Sequence, residues 1–362
     1  MIPYLEIRDK YTIKAVALVE PQECWLELSF QNIGECEIFC RASKANLNAL
    51  QKGRYVTIPN KRFIWVITSV KYTFTAGGAR MISAKGYEAK WLLKKRCILT
   101  PKELQGTITS ACYGLVNHAL GTGANAARKI VGFTVDTNEL LIDISGTQAP
   151  RGNLRDFVNP LLKQYNCGSI VELIDGALKY RIFTGQVKTN SVRFTQSLDN
   201  LLSSSYLTDD AEKATNALVV SSFDETYTVG EEEHKRKVDY LKEVDTGETG
   251  IDRAEIIVDS DLSTKYEDAN GVEQETTPNS ALYQSWQVQE GTNKLAEHIT
   301  IEEVSGEIDV ANSNYIFDEH FFIGDMVRAQ DEYFNFYVNA KISKYTFKQD
   351  ANGYGEEAEY GG

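Results

Sequence analysis

Alternation of apolar and polar residues with a period of two is the feature that most constrains the fold of this chain. Residues 24–30 and 35–40 alternate in this way, and so do residues 333–342 near the other end. In the first of these segments Leu26 and Leu28 share one face. Because successive side chains of a strand point to opposite faces, the pattern predicts half-buried β-strands at both ends of the chain.

Length and composition agree with a chain built mainly from strands. The 362 residues exceed the size at which one hydrophobic core keeps growing, so two or more domains are expected. Hydrophobic residues make up 42% and charged residues 25%, as in folded proteins. The 19 Tyr and 15 Phe favour extended segments. The predicted fold class is therefore mainly β with α+β insertions.

A β-hairpin is predicted where a long apolar segment meets two glycines. Residues 63–75 begin as a continuous apolar run and then alternate. Gly77 and Gly78 supply the positive φ angles that a two-residue turn needs. A strand at residues 79–87 is expected to return alongside.

Residue 100 marks a change from strand to helix signals. Thr100 is placed as an N-cap, Pro101 suits the first helical position, and Glu103 completes a capping box. Gly121 is the predicted end. The apolar stripe of this helix is expected to consist of Leu104, Ile108, Cys112, Leu115 and Ala119.

Two further helices and another hairpin are predicted. A helical pattern covers residues 154–165, where Pro160 is expected either to kink the helix or to reset its start. Asp175 and Gly176 turn a hairpin between residues 169–174 and 178–184. The later helix is expected to begin at Pro278, capped by Thr277, and to carry Leu282, Tyr283, Trp286 and Leu295. Residues 230–237 and 245–250 are predicted to be polar connections, either exposed loops or flexible hairpin tips.

The tetrapeptide Lys-Tyr-Thr-Phe occurs at residues 71–74 and again at residues 344–347. Each copy ends a long aromatic strand and follows a glycine with a short apolar strand, at residues 53–58 and 324–329. The alternatives are an internal repeat and the general likeness of any two hairpins. A repeat predicts two related β-barrel-like domains with other domains inserted, divided as 1–99, 100–190 (α/β), 191–275 with 299–362, and a small helical element at 276–298.

A duplicated chain has a geometric consequence. Three copies of a chain with two similar barrels can place six similar units around one axis, as a closed heterologous ring.

The net charge of −13 argues against a nucleic-acid-binding surface, because affinity for phosphates depends on clustered Lys and Arg. A negative lumen past which DNA slides is still compatible with this charge. The basic residues 234–237 follow three glutamates at 231–233, so a solvated charged loop is favoured there.

Leader and membrane signals are missing from the sequence pattern. The amino terminus has no basic, apolar and small-residue succession typical of a secretory leader, so the cytoplasm is the expected place of synthesis. No apolar run approaches the ~18 residues of a membrane helix. In such a chain buried free thiols are the favoured interpretation of Cys24, Cys36, Cys40, Cys97, Cys112 and Cys167.

Candidate catalytic and metal-binding patterns are outweighed by structural interpretations. Residues 318–320 place two acids beside a histidine, but adjacent strand residues point to opposite faces. Residues 121–126 resemble a dinucleotide-binding glycine loop but follow a helix instead of a strand. Residues 268–271 fit a type I′ turn better than a calcium loop. The histidines are far apart in sequence, at His118, His234, His298 and His320. We assign no catalytic, cofactor-binding or metal-binding residues, and a paired carboxylate site of the glycosidase type stays open.

Many short segments together resemble the tail-hub proteins of siphophages. In the first third these are Ile7-Arg8-Asp9, residues 24–30 and 35–40 around Gly34, residues 50–53, Lys85-Gly86-Tyr87, Leu92-Leu93 and residues 95–98. In the remainder they are residues 192–202, 291–296, 306–309 and 323–327. The resemblance covers nearly the whole chain through individually weak markers.

The resemblance implies a non-enzymatic hub at the virion tail tip. It implies a homotrimer with two barrel domains per subunit, forming a pseudo-sixfold ring around the DNA channel. Expected neighbours are the distal tail protein, tail tube proteins, the tape-measure protein, and tail fibres or receptor-binding proteins. The same architecture serves contractile tails and tail-like bacteriocins. A tail-associated cell-wall hydrolase and a carbohydrate-binding module that recognises the host surface are the alternative functions.

Overall fold

The computed structural model describes residues 4–74, 78, 80–298, 301–309, 314–331, 336–351 and 353–361. The elements of the first third are β1 (Leu5–Arg8), β2 (Ala15–Val19), β3 (Glu23–Ser29), β4 (Glu35–Arg41), α1 (Lys44–Ala49), β5 (Tyr55–Thr57), β6 (Ile64–Phe74) and β7 (Arg80–Glu88). A 3-10 helix at Ala89–Lys95 follows them. The alternating patterns predicted two of these strands correctly, because every second residue of β3 and β4 is buried.

The middle of the chain is mixed α/β. Its elements are β8 (Cys97–Ile98), β9 (Lys102–Leu104), α2 (Ile108–Leu120), β10 (Phe133–Val135), β11 (Thr147–Ala149), β12 (Gly152–Asn153), α3 (Leu154–Gln164), β13 (Gly168–Ile174) and β14 (Ala177–Phe183). The hairpin of β13 and β14 is confirmed, with positive φ angles at both Asp175 and Gly176. Buried residues of α2 and α3 share one core with β10, β13 and β14.

The last part of the chain returns to strands. Its elements are β15 (Arg193–Thr195), β16 (Leu201–Asp209), β17 (Asn216–Val229), β18 (Glu232–Asp245), β19 (Glu255–Asp259), β20 (Lys265–Glu267), β21 (Glu273–Glu275), α4 (Ala281–Leu295), β22 (Ile301–Asp309), β23 (Met326–Asp331), β24 (Phe336–Asp350) and β25 (Gly353–Tyr360). The chain is therefore mainly β, as predicted. No helix that the model describes is long and apolar enough to cross a membrane.

One large sheet contains strands from both ends of the chain. Its order is β16-β22-β25-β24-β3-β4-β7-β6-β5-β1-β2, with β23 and β15 branching from β24. The strand order runs between two edges, so no closed barrel forms within the described residues. The sheet contains the same five-strand arrangement twice, namely β3-β4-β7-β6-β5, called here the first unit, and β16-β22-β25-β24-β23, called the second unit. All pairs within both units are antiparallel.

Matching hydrogen bonds show that the two units are related. The amide of Gly53 donates to the carbonyl of Ile67 at 2.7 Å, and Gly324 donates to Ile342 at the same distance. Both glycines have a left-handed φ, 84° and 88°, which favours glycine over other residues. In each unit the isoleucine amide donates back to the residue after the glycine, at 2.9 Å.

Strand register extends the match. A register shift directly follows Ile67 in the β6–β7 pair and Ile342 in the β24–β25 pair. Beyond it, Ala84 lies opposite Ile38 and Ala358 lies opposite Ile308, and all four side chains are fully buried. The internal repeat inferred from the sequence is therefore confirmed in the topology.

The tetrapeptide that suggested the repeat is not in structural register. Ser69 and Lys344 are the first paired residues after the register shift in their units. Residues 71–74 therefore lie two positions further along their strand than residues 344–347. Because strand side chains alternate with a period of two, this displacement preserves the face of each residue.

The predicted start of the first helix is wrong. Residues 102–104 form β9, which pairs with β11, and Gly106 with a φ of 80° ends this extended segment. The helix begins at Ile108 with Thr107 as its N-cap, and it ends at Gly121 as predicted. Leu104 was included in the helical stripe because its spacing fits, but it is a residue of β9 that packs in the same core as α2.

Two other helix boundaries differ from the predictions. The cap of α4 is Ser280, whose hydroxyl accepts from the amide of Tyr283 at 3.1 Å, so the predicted start at Pro278 with Thr277 as cap is wrong. Thr277 lies in the preceding turn, where its backbone carbonyl accepts a hydrogen bond from the amide of Ser280. Pro160 lies inside α3 and does not reset its start, because Asn153 caps the helix before Leu154.

Residues 230–237 lie at the tip of the β17–β18 hairpin, one of the two predicted forms, although most of them are strand residues. Only the turn around Gly230 is a connection, and β18 begins at Glu232 and pairs with β17 over its whole length. The polar composition reflects a two-stranded ribbon whose outer part is exposed on both faces. Residues 246–249, after β18, are a connection as predicted.

Some predictions fall outside the described residues. The first glycine of the turn at 77–78 is one of them, although Gly78 has the expected positive φ of 81°. The alternation over residues 333–335 is another, and β24 is described from Phe336 onward.

We predict that Thr107→Ala destabilises the protein by about 1 kcal/mol, because the helix loses the hydroxyl that accepts the amide of Ser110 at 3.3 Å. Thr100→Ala is the matched control, since Thr100 is exposed and lies outside the helix. Urea denaturation of both variants measures the difference. Equal losses in the two variants would contradict the assigned cap.

Candidate assembly interface

The two units are joined by backbone pairing between β3 and β24, called here the inter-unit joint. Lys344 lies opposite Ser29, Tyr345 opposite Leu28, and the antiparallel register continues to Gln349 opposite Cys24. One edge of β24 pairs with two strands in succession. Residues 336–341 pair with β23, and residues 344–349 pair with β3 at the joint. The two ends of the chain therefore form one continuous sheet.

Aromatic rings fill the core behind the inter-unit joint. Phe317 stacks on Tyr345 with ring centroids 3.6 Å apart and an interplanar angle of 11°. Phe63 lies 5.8 Å from Phe347, and Trp65 contacts the same ring edge to face at 6.3 Å. All five side chains are buried. Such large apolar rings bring much of the burial that stabilises the joint.

A buried ion pair lies where the first unit meets the middle of the chain. The Lys90 ammonium is fully buried and lies 2.7 Å from Oε1 of Glu88. It also donates to the carbonyls of Ser29 and of Ser169, the latter at 3.1 Å. The other carboxylate oxygen of Glu88 accepts from the amides of Ser29 and Gly34 at 2.8 and 3.1 Å. The pair thereby links β3, β7 and β13.

Burial changes the acid–base properties of both partners. Removal from water lowers the pKa of Lys90 to about 8, an effect that the Glu88 carboxylate opposes. Burial likewise raises the pKa of Glu88, and the Lys90 ammonium opposes that rise. Each charge is therefore costly to bury without the other.

A second chain of charges connects three parts of the molecule. Glu172 on β13 is 1% exposed. Its carboxylate accepts hydrogen bonds from Nε and Nη2 of Arg181, at 2.9 and 3.0 Å. Arg62, just before β6, places its Nε 2.6 Å from the same carboxylate and its Nη2 2.5 Å from Asp318. These ion pairs connect the middle of the chain to segments from both its first and its last third.

Two members of the acid–histidine triplet at residues 318–320 bind neighbouring segments of the fold. Asp318 is occupied by Arg62, and the Nδ1 atom of His320 accepts the amide of Ile316 at 2.9 Å. The triplet therefore stabilises a turn beside the aromatic core.

The other histidines lie in separate elements. His118 is exposed on α2, His234 stacks on Tyr227 across the β17–β18 pair, and His298 contacts the carbonyl of Glu212. Among the described residues, no three His, Cys, Asp or Glu side chains are arranged to hold a metal ion.

Both ligand-like loops have the structural roles that the sequence favoured. Gly121 is the C-cap of α2, so residues 121–126 follow a helix. Residues 268–271 turn between β20 and β21, with Asp268 accepting the amides of Asn270 and Val272 at 2.9 Å. The type I′ assignment is wrong, because Gly271 has a positive φ and Asn270 does not.

The basic run at residues 234–237 is part of β18 and not a loop. Arg236 lies opposite Glu225 and contacts its carboxylate at 3.2 Å, and Lys237 lies opposite Asp224. Cross-strand acids therefore compensate the local positive charge.

The interpretation of all six cysteines as buried is wrong for Cys97, which is exposed. The other five are buried free thiols, and burial raises the pKa of each of them.

A cleft between α3 and α4 contains Glu290, a half-buried carboxyl group with a raised pKa. Burial raises the pKa of Glu290 to about 7, although the Ser260 hydroxyl donates to it at 2.6 Å. Asp156 and Asp261 also line this cleft, whereas its described lining contains no histidine or cysteine. A polar cleft of this kind does not by itself define an acid–base mechanism.

Sequence reasoning missed both charged clusters. Lys90 and Glu88 are two residues apart at the end of a strand, where charged residues are usually exposed. The only signal in the sequence was their position at the end of an alternating strand. That position does not indicate that other segments of the chain bury both side chains.

We predict that Lys90→Met lowers the free energy of unfolding by about 3–5 kcal/mol, because Glu88 stays buried without its cation. The double variant Glu88→Gln/Lys90→Met should lose less, since no unpaired charge remains. Lys85→Met is the matched surface control, because its pair with Glu37 is exposed and worth at most ~1 kcal/mol. Urea denaturation measures all three. A Lys90→Met protein no less stable than Lys85→Met would refute this role.

Comparison with known proteins identifies the family and the fold. A search of the curated proteins finds no match. Among solved structures, a tail protein from Neisseria meningitidis MC58 is 10% identical with a TM-score of 0.56, covering 99% of this chain and 96% of that one. The 43 kDa tail protein of prophage MuSo2 from Shewanella oneidensis is 14% identical with a TM-score of 0.53, covering 99% and 98%. The model of the family described as Siphovirus ReqiPepy6 Gp37-like protein matches residues 6–361. The chain therefore belongs to this siphovirus family and has the fold of phage tail proteins.

Proposed function

We propose that the protein is a structural tail-hub protein, which forms a homotrimeric, pseudo-sixfold ring between the tail tube and the tail tip. The observation that carries this proposal is the repeated five-strand unit with its matching glycine–isoleucine hydrogen bonds. Two similar units per chain allow three chains to present six similar walls. A ring of this kind can adapt a sixfold tube to a threefold tip.

The two units account for the proposed domain organisation. The first unit belongs to a hub domain at residues 1–99, and the second unit to a hub domain formed after residue 190. The α/β region at residues 100–190 is an insertion between them. We propose that the second insertion, within the second hub domain, is larger than the helical element expected at residues 276–298 and also includes β17–β21. The large sheet then supplies the wall, and the insertions lie outside it.

Charge is consistent with a passage for DNA. The chain carries 51 acidic and 38 basic residues. A wall that is negative overall would repel phosphates and let DNA slide without binding. We propose no sequence-specific contact with nucleic acid.

The proposed place of the ring determines its neighbours. It is assembled in the host cytoplasm and located at the virion tail tip. There it contacts the distal tail protein, tail tube proteins, the tape-measure protein, and tail fibres or receptor-binding proteins. We propose a structural, non-enzymatic role, because the charged clusters that the structure brings together link segments of the fold. No particular observation favours the cell-wall hydrolase or the carbohydrate-binding module.

We predict that the purified protein forms a particle with three times the 40.6 kDa mass of one chain. Light scattering coupled to size-exclusion chromatography gives the mass, and negative-stain electron microscopy should show a ring with a central hole. Measurements over a range of protein concentrations distinguish a weak trimer from a monomer. Monomers at the highest concentration, with no ring in the micrographs, would refute the proposed ring.

A further inference from the structure

β16 is an edge strand of the large sheet. Over its length it pairs with β22, and the described residues contain no second strand beside it. Its equivalent in the first unit, β3, has two neighbours, since it pairs with β4 on one side and with β24 at the inter-unit joint. The outer edge of such a strand presents backbone donors and acceptors that another strand can use.

The outer half of β6 has the complementary opening. Residues 69–74 pair with β7 on one side. On the other side β5 reaches only Ile64 to Val66, and no described strand continues beyond it. The equivalent half of β24 is covered in this place by β3. Within the part of the chain that the structure describes, there is therefore one filled joint and the two open halves of a second joint.

Side chains at the open edge of β6 are more exposed than their equivalents at the filled joint. Tyr345 and Phe347 in β24 are fully buried, with Leu28 and Leu26 opposite them in β3. Their structural equivalents in β6 are Val70, which is half-buried, and Tyr72, which is 48% exposed.

The strand continues to an exposed aromatic residue. Phe74, at the end of β6, is 60% exposed. Aromatic side chains on an open strand edge are typical of a surface that is covered in an assembly.

We propose that β16 of one copy of the chain pairs antiparallel with the outer half of β6 of a second copy, in the register of the inter-unit joint. The inference rests on the proposed ring and specifies how its subunits meet. Transfer of the β3–β24 register through the repeat places residue 206 opposite Val70, residue 205 opposite Lys71, and residue 204 opposite Tyr72.

A second copy is the occupant that the geometry specifies. The chain carries both halves of the joint, but they lie seven strand positions apart in the sheet order and do not meet within one chain. A head-to-tail contact of this kind closes into a ring when the rotation between copies permits it. Inter-unit joints within chains then alternate with equivalent joints between chains, so that every unit has the same two neighbours.

The test is site-directed cross-linking in the assembled protein. Val70→Cys is combined with Tyr206→Cys, and separately Lys71→Cys with Ser205→Cys, in a Cys97→Ser background that removes the exposed thiol. A short bismaleimide should produce covalent dimers and trimers on denaturing gels. Pairing Val70→Cys with Asp209→Cys is the matched control, because three residues along a strand displace the thiol by about 10 Å and should reduce the yield about tenfold.

The outcomes separate this inference from the proposed function. Cross-linking of both in-register pairs, with little in the displaced pair, supports the strand pairing. Trimers in light scattering without in-register cross-linking would overturn the pairing and leave the ring. Monomers alone, with no rings in micrographs, would overturn both. Thermal unfolding of each variant, compared with the Cys97→Ser parent, verifies that the cysteine substitutions leave the fold intact.

Discussion

The backbone pairing of β3 with β24 is the constraint on which the rest of the structure depends. It brings together Ser29 and Ser343, which are 314 positions apart in the chain, and it makes one sheet of two related units. Such non-local pairing loses loop-closure entropy before the new contacts stabilise the fold. Burial of the aromatic core behind the joint offsets this loss, because Tyr345 and Phe347 become fully buried only when β3 lies beside them. Formation of the joint and completion of the core are thus one event.

Polar groups determine how the middle of the chain attaches to this sheet. Apolar contacts alone tolerate sliding, whereas the Lys90 ammonium requires a carboxylate and carbonyls from three separate segments at fixed positions. Glu172 makes a similar demand on two arginines. Because a partly satisfied buried network is costly, these clusters favour one arrangement over others of similar apolar burial. Their contribution is to the uniqueness of the docking as much as to its strength.

The sequence predicted the parts of the fold that depend on local pattern. The alternation in β3 and β4 and the Asp175-Gly176 turn were visible because each is encoded in a few adjacent residues. The cap of α2 was misplaced because Leu104 fits a helical stripe, and only its pairing with a distant strand makes it a strand residue. The start of β18 was taken for part of a connection because residues 230–237 contain no apolar side chain, and only their pairing with β17 makes them a strand.

The candidate interface was predictable only in outline. The tetrapeptide and the glycines that precede the short strands indicated a repeat. The structural register, however, is set by the hydrogen bonds of Gly53 and Gly324. It differs by two positions from the alignment that the tetrapeptides suggest. Which edges stay open depends on the order of strands in the sheet, and no local pattern carries that information.

One difference between the two units is how their first two strands are connected. In the first unit a few residues around Gly34 join β3 to β4, whereas in the second unit residues 210–300 separate β16 from β22 and form the β17–β19 sheet with α4 against it. The cost of closing a loop grows only slowly with its length, so such an insertion leaves the five-strand arrangement intact. In the proposed ring, short and long connections alternate around one rim. The wall then keeps its approximate sixfold character while the inserted domains project with threefold symmetry, which is the change of symmetry that a connector between tube and tip requires.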